Sequence, residues 1–274
     1  MTAAPALLFC PGDRPDRYKK AAEAADAVII DLEDAVALAA KPAARDALVA
    51  SQLDPDRTLV RVNPRSTALL DADIAALRAT PYRSVVLAKA ETALDVAPLA
   101  GFRVMAICES PLGVRNAELL ADLDDVFALT WGAEDLVAAI GGSSSRHGDG
   151  SYRLFAQYAR SRVLIAAASA GKAAYDTVHL DIADDAGLRQ KAEDAAASGF
   201  AGAMCIHPRQ VEIIRAAFRP SAESVAWARG VIDAAAGTPD GVFAFEGRMV
   251  DEPVLRQARR IAESAAAASI EGEK

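Results

Sequence analysis

Eight short apolar runs punctuate the chain, at residues 6–10, 27–30, 58–62, 84–88, 103–108, 126–131, 174–177 and 202–206. Each is four to six residues long and carries few polar positions. That is the pattern of strands buried on both faces, as in a parallel sheet. Alanine-rich segments at 35–51, 67–78, 114–123, 152–170 and 187–198 lie between them and place apolar residues at helical spacing. Strand–helix alternation repeated about eight times predicts the α/β class, specifically a (β/α)8 TIM barrel. A doubly wound open sheet is the alternative. It usually opens with a glycine-rich turn, and the first turn here is Pro11-Gly12-Asp13-Arg14.

Helix starts are marked by Asp13 with Pro15, Ser110 with Pro111, and Pro208, pairings of capping residues with prolines that suit a first turn. Residues 141–150, rich in Gly and Ser, break the periodicity and predict either a mobile loop over the barrel mouth after the sixth strand or a plain flexible surface loop. The alternation ends near Arg219. A helix over 224–235, a turn with an extended stretch within 238–248, and a last helix over 254–268 fraying into 269–274 follow. The chain therefore divides into a barrel, 1–218, and a C-terminal helical extension, 219–274. Trp227, Phe243 and Phe245 in the extension need a surface to cover them, on their own barrel or on a neighbouring subunit.

Composition narrows the picture. A length of 274 residues suits one barrel with an appendage, and 52% hydrophobic against 5% aromatic residues means a core of Ala, Val, Leu and Ile. Thirty basic and 38 acidic residues give a net charge of −8, with no basic run, which argues against nucleic acid and membrane surfaces as partners. No apolar stretch reaches the ~18 residues of a membrane-spanning helix, and the first residues lack a charged and apolar leader pattern. Cys10, Cys108 and Cys205 all fall in expected strands without a CxxC, so we expect buried thiols and a cytoplasmic protein.

Candidate chemistry gathers where the strands end, the face on which barrels build their sites. Glu109 closes the fifth run and Asp135 follows the sixth. Two carboxylates from neighbouring strands suit one hard cation, Mg2+, and leave positions for water and a substrate carboxylate. Capping of the next helix is the alternative for Glu134 and Asp135. Arg61 lies inside an apolar run, where a cation needs an anion, either Asp31, Glu33 or Asp34 on the next strand or a substrate carboxylate. His147 is expected in solvent, and His179 and His207 in structural roles. Neither a GxSxG nor an HExxH motif is present.

Leu8-Phe9-Cys10-Pro11-Gly12-Asp13-Arg14-Pro15-Asp16-Arg17 resembles the opening LFVPGxRPxR of citrate lyase beta-subunit-like proteins in the HpcH/HpaI aldolase group. Ile30-Asp31-Leu32-Glu33-Asp34-Ala35-Val36 with Lys41 and Arg45 resembles its next block. Arg61-Val62-Asn63, Lys89-Ala90-Glu91, Glu109-Ser110, Gly132-Ala133-Glu134-Asp135 and His207-Pro208 follow in family order. The resemblance implies a homo-oligomeric, commonly trimeric barrel that cleaves or forms a carbon–carbon bond beside a CoA thioester. It implies Mg2+ on Glu109 and Asp135, substrate on Arg61, and Asp251 of Val250-Asp251-Glu252-Pro253 as an acid/base reaching an adjacent subunit. Glu33 and Asp34 join the catalytic set through Arg61, and Arg14 and Arg17 are candidates for CoA phosphates. The expected substrates are acyl-CoA and oxoacid molecules: citryl-, malyl-, citramalyl- or 3-hydroxy-3-methylglutaryl-CoA, giving acetyl-CoA and an oxoacid. A CoA-independent pyruvate aldolase, and a beta subunit acting on an acyl carrier protein, are the alternatives. Ala203 departs from the family, which often has lysine there.

Overall fold

The computed structural model describes residues 4–237 and 241–271. Residues 1–3 and 272–274, touched by the expectations for the leader and the frayed end, lie outside it, as do 238–240. Eight strands, β1 (Ala6–Pro11), β2 (Ala27–Asp31), β3 (Thr58–Val62), β4 (Ser84–Leu87), β5 (Arg103–Cys108), β6 (Val126–Trp131), β7 (Ala173–Asp176) and β8 (Gly202–Cys205), close into a parallel barrel. Closure comes from β1 pairing with β8, Leu7 opposite Met204. Each expected strand is present to within one residue at either end.

Side chains alternate across a strand, so every second residue fills the barrel. Leu7, Ala27, Ile29, Leu59, Val86, Met105, Ile107, Ala128, Tyr175 and Met204 form that interior. Carrying the same alternation one step towards the carboxyl ends reaches Asp31 after Ile29, Arg61 after Leu59 and Glu109 after Ile107. The apolar layers thus become the floor of a polar mouth.

Helix boundaries depart from expectation where local chemistry intervenes. The segment expected as one helix over 35–51 begins only at Lys41, because Pro42 is tolerated solely in a first turn. The segment over 114–123 is two short helices, Pro111–Arg115 and Ala117–Ala121. Ser110 caps the first, its Oγ accepting from Gly113 N at 3.0 Å. Asp13 does not cap Pro15–Ala24; the N-cap position is Arg14. Lys41 and Arg45 hold the frame. The Lys41 ammonium donates to the Leu32 and Glu33 carbonyls, and Arg45 pairs at 2.7 Å with Asp73, which accepts from Asn63.

The chain forms two compact units, 1–215 and 216–274. In the second, the helices Ala222–Ala236 and Glu252–Glu271 are joined through a hairpin of β9 (Phe243–Phe245) and β10 (Arg248–Val250). Its turn residues Glu246 and Gly247 both have positive φ, as a two-residue hairpin requires. Phe243, Phe245 and Trp227 pack on Ala228, Val231, Val250 and Ala258, so this unit has a core of its own. Cys10, Cys108 and Cys205 are buried free thiols. Among the described residues no helix is long and apolar enough to cross a membrane.

Candidate functional site

A cavity of about 1240 Å3 opens at the carboxyl ends of the strands, and Asp31, Arg61, Glu109 and Asp135 all line it. Glu109 stands just beyond β5 and is 4% exposed. Its Oε1 accepts the Lys89 backbone N–H at 2.8 Å. Asp135 lies in the first turn of the helix Ala133–Ile140, whose N-cap is Gly132, so it does not cap that helix. Its Oδ1 lies 3.4 Å from Lys89 Nζ. Burial and the neighbouring Asp135 charge push the Glu109 carboxyl up to about 8. A buried carboxylate opposed by a second one is at ease only beside a cation.

That donor set fits a small hard ion. Among the described residues no three His, Cys, Asp or Glu side chains converge into a closed cage. A pair of carboxylates beside a roomy cavity leaves the remaining positions to water and substrate oxygens, as Mg2+ prefers. Room for Glu109 depends on Gly132: a Cβ there would fall 2.5 Å from Glu109 Oε2 and 2.8 Å from its Cβ.

Arg61 makes the internal ion pair that its sequence position suggested. Its Nε and Nη2 donate to Asp31 at 2.7 and 2.6 Å, its Nη1 lies 3.3 Å from Glu33, and its guanidinium lies over the Phe9 ring. Burial opposes the charge, but the Asp31 hydrogen bonds and the Asp31 and Glu33 charges hold the guanidinium firmly protonated. Asp31 is therefore the main orienting group, with Glu33 second. Asp34 faces Lys89 instead, at 3.4 Å.

Other expected residues stand apart. Arg14 pairs with Asp16 at 2.9 Å and Arg17 is exposed; neither lines the cavity. Asp251 lies in the second unit, where its Oδ1 accepts from Val254 N at 3.3 Å and caps the last helix. Asp176 is fully buried between Trp131 Nε1 and Arg160. His147 is exposed, His179 bonds Asp184, and His207 accepts from Arg209 N. Ala203 is buried in β8 and is not among the residues that line the cavity.

The Gly/Ser segment does sit at the mouth, with Ser143–Arg146 and Asp149–Tyr152 along the cavity wall. It carries an internal framework, however. Arg146 bridges Tyr152 and stacks 3.9 Å over its ring, Tyr152 meets Trp131 edge-on, and Ser145 donates to Glu134. Lys89, quoted in sequence only within a family block and given no role there, stands among Glu33, Asp34 and Asp135. Its signal was present: a lysine ending the fourth apolar run, opposite three acidic strand ends.

Comparison with known proteins identifies the family. The family model for HpcH/HpaI aldolase/citrate lyase matches residues 6–208. A citrate lyase subunit beta-like protein of Mycobacterium tuberculosis is 51% identical over 98% of both chains. The human mitochondrial citramalyl-CoA lyase is 30% identical over 93% of this chain and 83% of its own. The solved structure of M. tuberculosis CitE in complex with magnesium, acetoacetate and coenzyme A has a TM-score of 0.93, covering 97% of this chain and all of that one. The chain belongs to the HpcH/HpaI aldolase/citrate lyase family and is a carbon–carbon lyase.

Proposed function

We propose that the chain is a Mg2+-dependent lyase acting on a 3-hydroxyacyl-CoA that bears a distal carboxylate, of the citryl, malyl, citramalyl or 3-hydroxy-3-methylglutaryl type, with acetyl-CoA and an oxoacid as products. The observation that carries it is the convergence of Glu109, Asp135 and Arg61 on one cavity. The magnesium, acetoacetate and coenzyme A of the M. tuberculosis protein support it. Glu109 and Asp135 would hold the ion, which supplies Lewis-acid polarisation of the oxoacid oxygens when bound.

The protein's own groups do the rest. Arg61 is held by Asp31 and Glu33 before substrate arrives, so it stabilises the growing negative charge without reorganising. A guanidinium has five N–H donors, and those not used on Asp31 and Glu33 serve the substrate. Glu33, 3% exposed, ties Arg61 to Lys89, and Asp34 extends that tie. As the carbon–carbon bond breaks the substrate hydroxyl gives up its proton, and Asp251, from a neighbouring copy in a homo-oligomer, delivers one proton to the thioester enolate carbon, so that none is gained or lost overall. Arg14 and Arg17, at the start of the helix that follows β1, hold CoA phosphates at the rim.

The test is a panel of CoA thioesters with and without EDTA. Acetyl-CoA release that EDTA abolishes and Mg2+ restores is expected, and Asp251→Ala is expected to lower turnover by about 10²–10⁴-fold. Turnover of free hydroxyacids alone would replace this proposal with a CoA-independent aldolase. Turnover only with an acyl carrier protein and partner subunits would make the chain a citrate lyase beta subunit.

A further inference from the structure

Lys89 follows β4 with a φ of +50°, a left-handed conformation that costs an L side chain energy and persists where its surroundings demand it. The turn has two products. It aims the Lys89 N–H at Glu109 Oε1, and it folds the ammonium back onto Glu33 Oε1 with Asp34 and Asp135 each 3.4 Å away. Five carboxylates, of which Asp31, Glu109 and Asp135 line the cavity and Glu33 and Asp34 do not, cluster around two cations, Arg61 and Lys89. Arg61 is committed to Asp31 and Glu33. Lys89 is the cation that reaches Asp135.

We propose that Lys89 is the resident counter-cation of the metal site. It occupies Asp135 until a divalent ion arrives, weakens binding of the bare ion, and so makes ion and anionic oxoacid bind as a unit. This rests on the assignment of Glu109 and Asp135 as metal ligands and adds to it an order of assembly. An ion entering between the two carboxylates must take Asp135 from the ammonium and then sit beside a like charge. The Coulomb cost of a unit charge about 5 Å from a divalent ion in a water-like medium corresponds to on the order of ten-fold in affinity. A substrate carboxylate laid against Lys89 and Arg61 removes that repulsion, so ion and oxoacid strengthen each other reciprocally.

The test titrates Mn2+ into the full chain and reads free Mn2+ by electron paramagnetic resonance, with and without pyruvate. Wild type is expected to bind Mn2+ several-fold more tightly with pyruvate than without. Lys89→Met is expected to bind the bare ion on the order of ten-fold more tightly and to lose most of the pyruvate effect. Lys89→Arg, which keeps the charge, stays close to wild type. Should the Met variant fail to fold, Lys89→Gly, which suits the left-handed backbone, carries the same expectation. A lysine that merely supported the turn would leave Mn2+ affinity unchanged or reduced in a folded charge-removing variant, and that result overturns the proposal. If wild type binds no Mn2+, or binds it no better than Glu109→Gln, the metal assignment falls and this inference with it. If those controls behave and only the Lys89 variants are unchanged, the inference alone falls.

Discussion

Glu109→Gln is expected to lower kcat/KM by about three orders of magnitude, while the metal-free variant melts at or above the wild-type temperature. The first half follows from removing one of two ionic ligands and with it the electrophile; loss of a single buried electrostatic stabiliser already costs about 10²–10³ in rate. The second half follows from burial. The Glu109 carboxyl is 4% exposed and beside Asp135, so the folded metal-free protein resists its ionisation. A carboxyl whose pKa is raised from the usual 4.5 to about 8 binds its proton more tightly folded than unfolded. Its contribution to stability is therefore lost as pH rises through that window. Glutamine has the same shape, keeps an oxygen for the Lys89 N–H, and carries no charge. The variant's melting temperature should thus fall less between pH 5 and pH 8 than that of metal-free wild type. A variant that melts far below wild type would mean that Glu109 is a structural anion and that its removal kills activity through unfolding.

Gly132→Ala is expected to reduce activity by two orders of magnitude or more and, unlike Glu109→Gln, to lower stability. Gly132 has φ −123° and ψ 116°, which any residue adopts, so backbone strain plays no part. The obstacle is space: the new methyl would stand 2.5 Å from Glu109 Oε2 and 2.8 Å from its Cβ. Turning the carboxylate aside relieves the first contact but not the second, so β5 and the start of the following helix must separate. Overpacking of this kind costs about 1–3 kcal/mol, readable as a shifted midpoint in urea. The displaced carboxylate shares an ion with Asp135 less well, and an error of about 1 Å in a positioned group can cost on the order of 10²-fold in rate. Excess Mg2+ should therefore recover part of the activity of Gly132→Ala and none of that of Glu109→Gln. Wild-type activity in Gly132→Ala would show that the close approach of Glu109 and Gly132 is not needed for function.

Much of this architecture was legible because its signals are local. A strand buried on both faces must be a short apolar run, and all eight runs are strands of the barrel. The charged residue that follows such a run must sit at the mouth, which is how Glu109 and Asp135 were found, and Arg61 stood out as a cation inside an apolar run. What escaped depends on contacts between distant segments. Asp31, Glu33 and Asp34 were equal candidates to hold Arg61; only the register Asp31 opposite Arg61 gives Asp31 the two short hydrogen bonds. Lys89 meets three carboxylates on other segments through a left-handed turn that an apolar run does not announce. Gly132 shows in sequence only as part of a family block and proves to be a gap kept open for the Glu109 side chain. The loop over 141–150 lacks periodicity because its order comes from Arg146, Tyr152 and Glu134 rather than from a repeating face.

The most direct measurement is a crystal soaked in Mn2+ and measured at the manganese absorption edge. One anomalous peak is expected in the mouth, within about 2.0–2.2 Å of a carboxylate oxygen from each of Glu109 and Asp135. A cavity without such a peak, or a peak that touches only one of the two, would contradict the assignment on which the proposed chemistry stands.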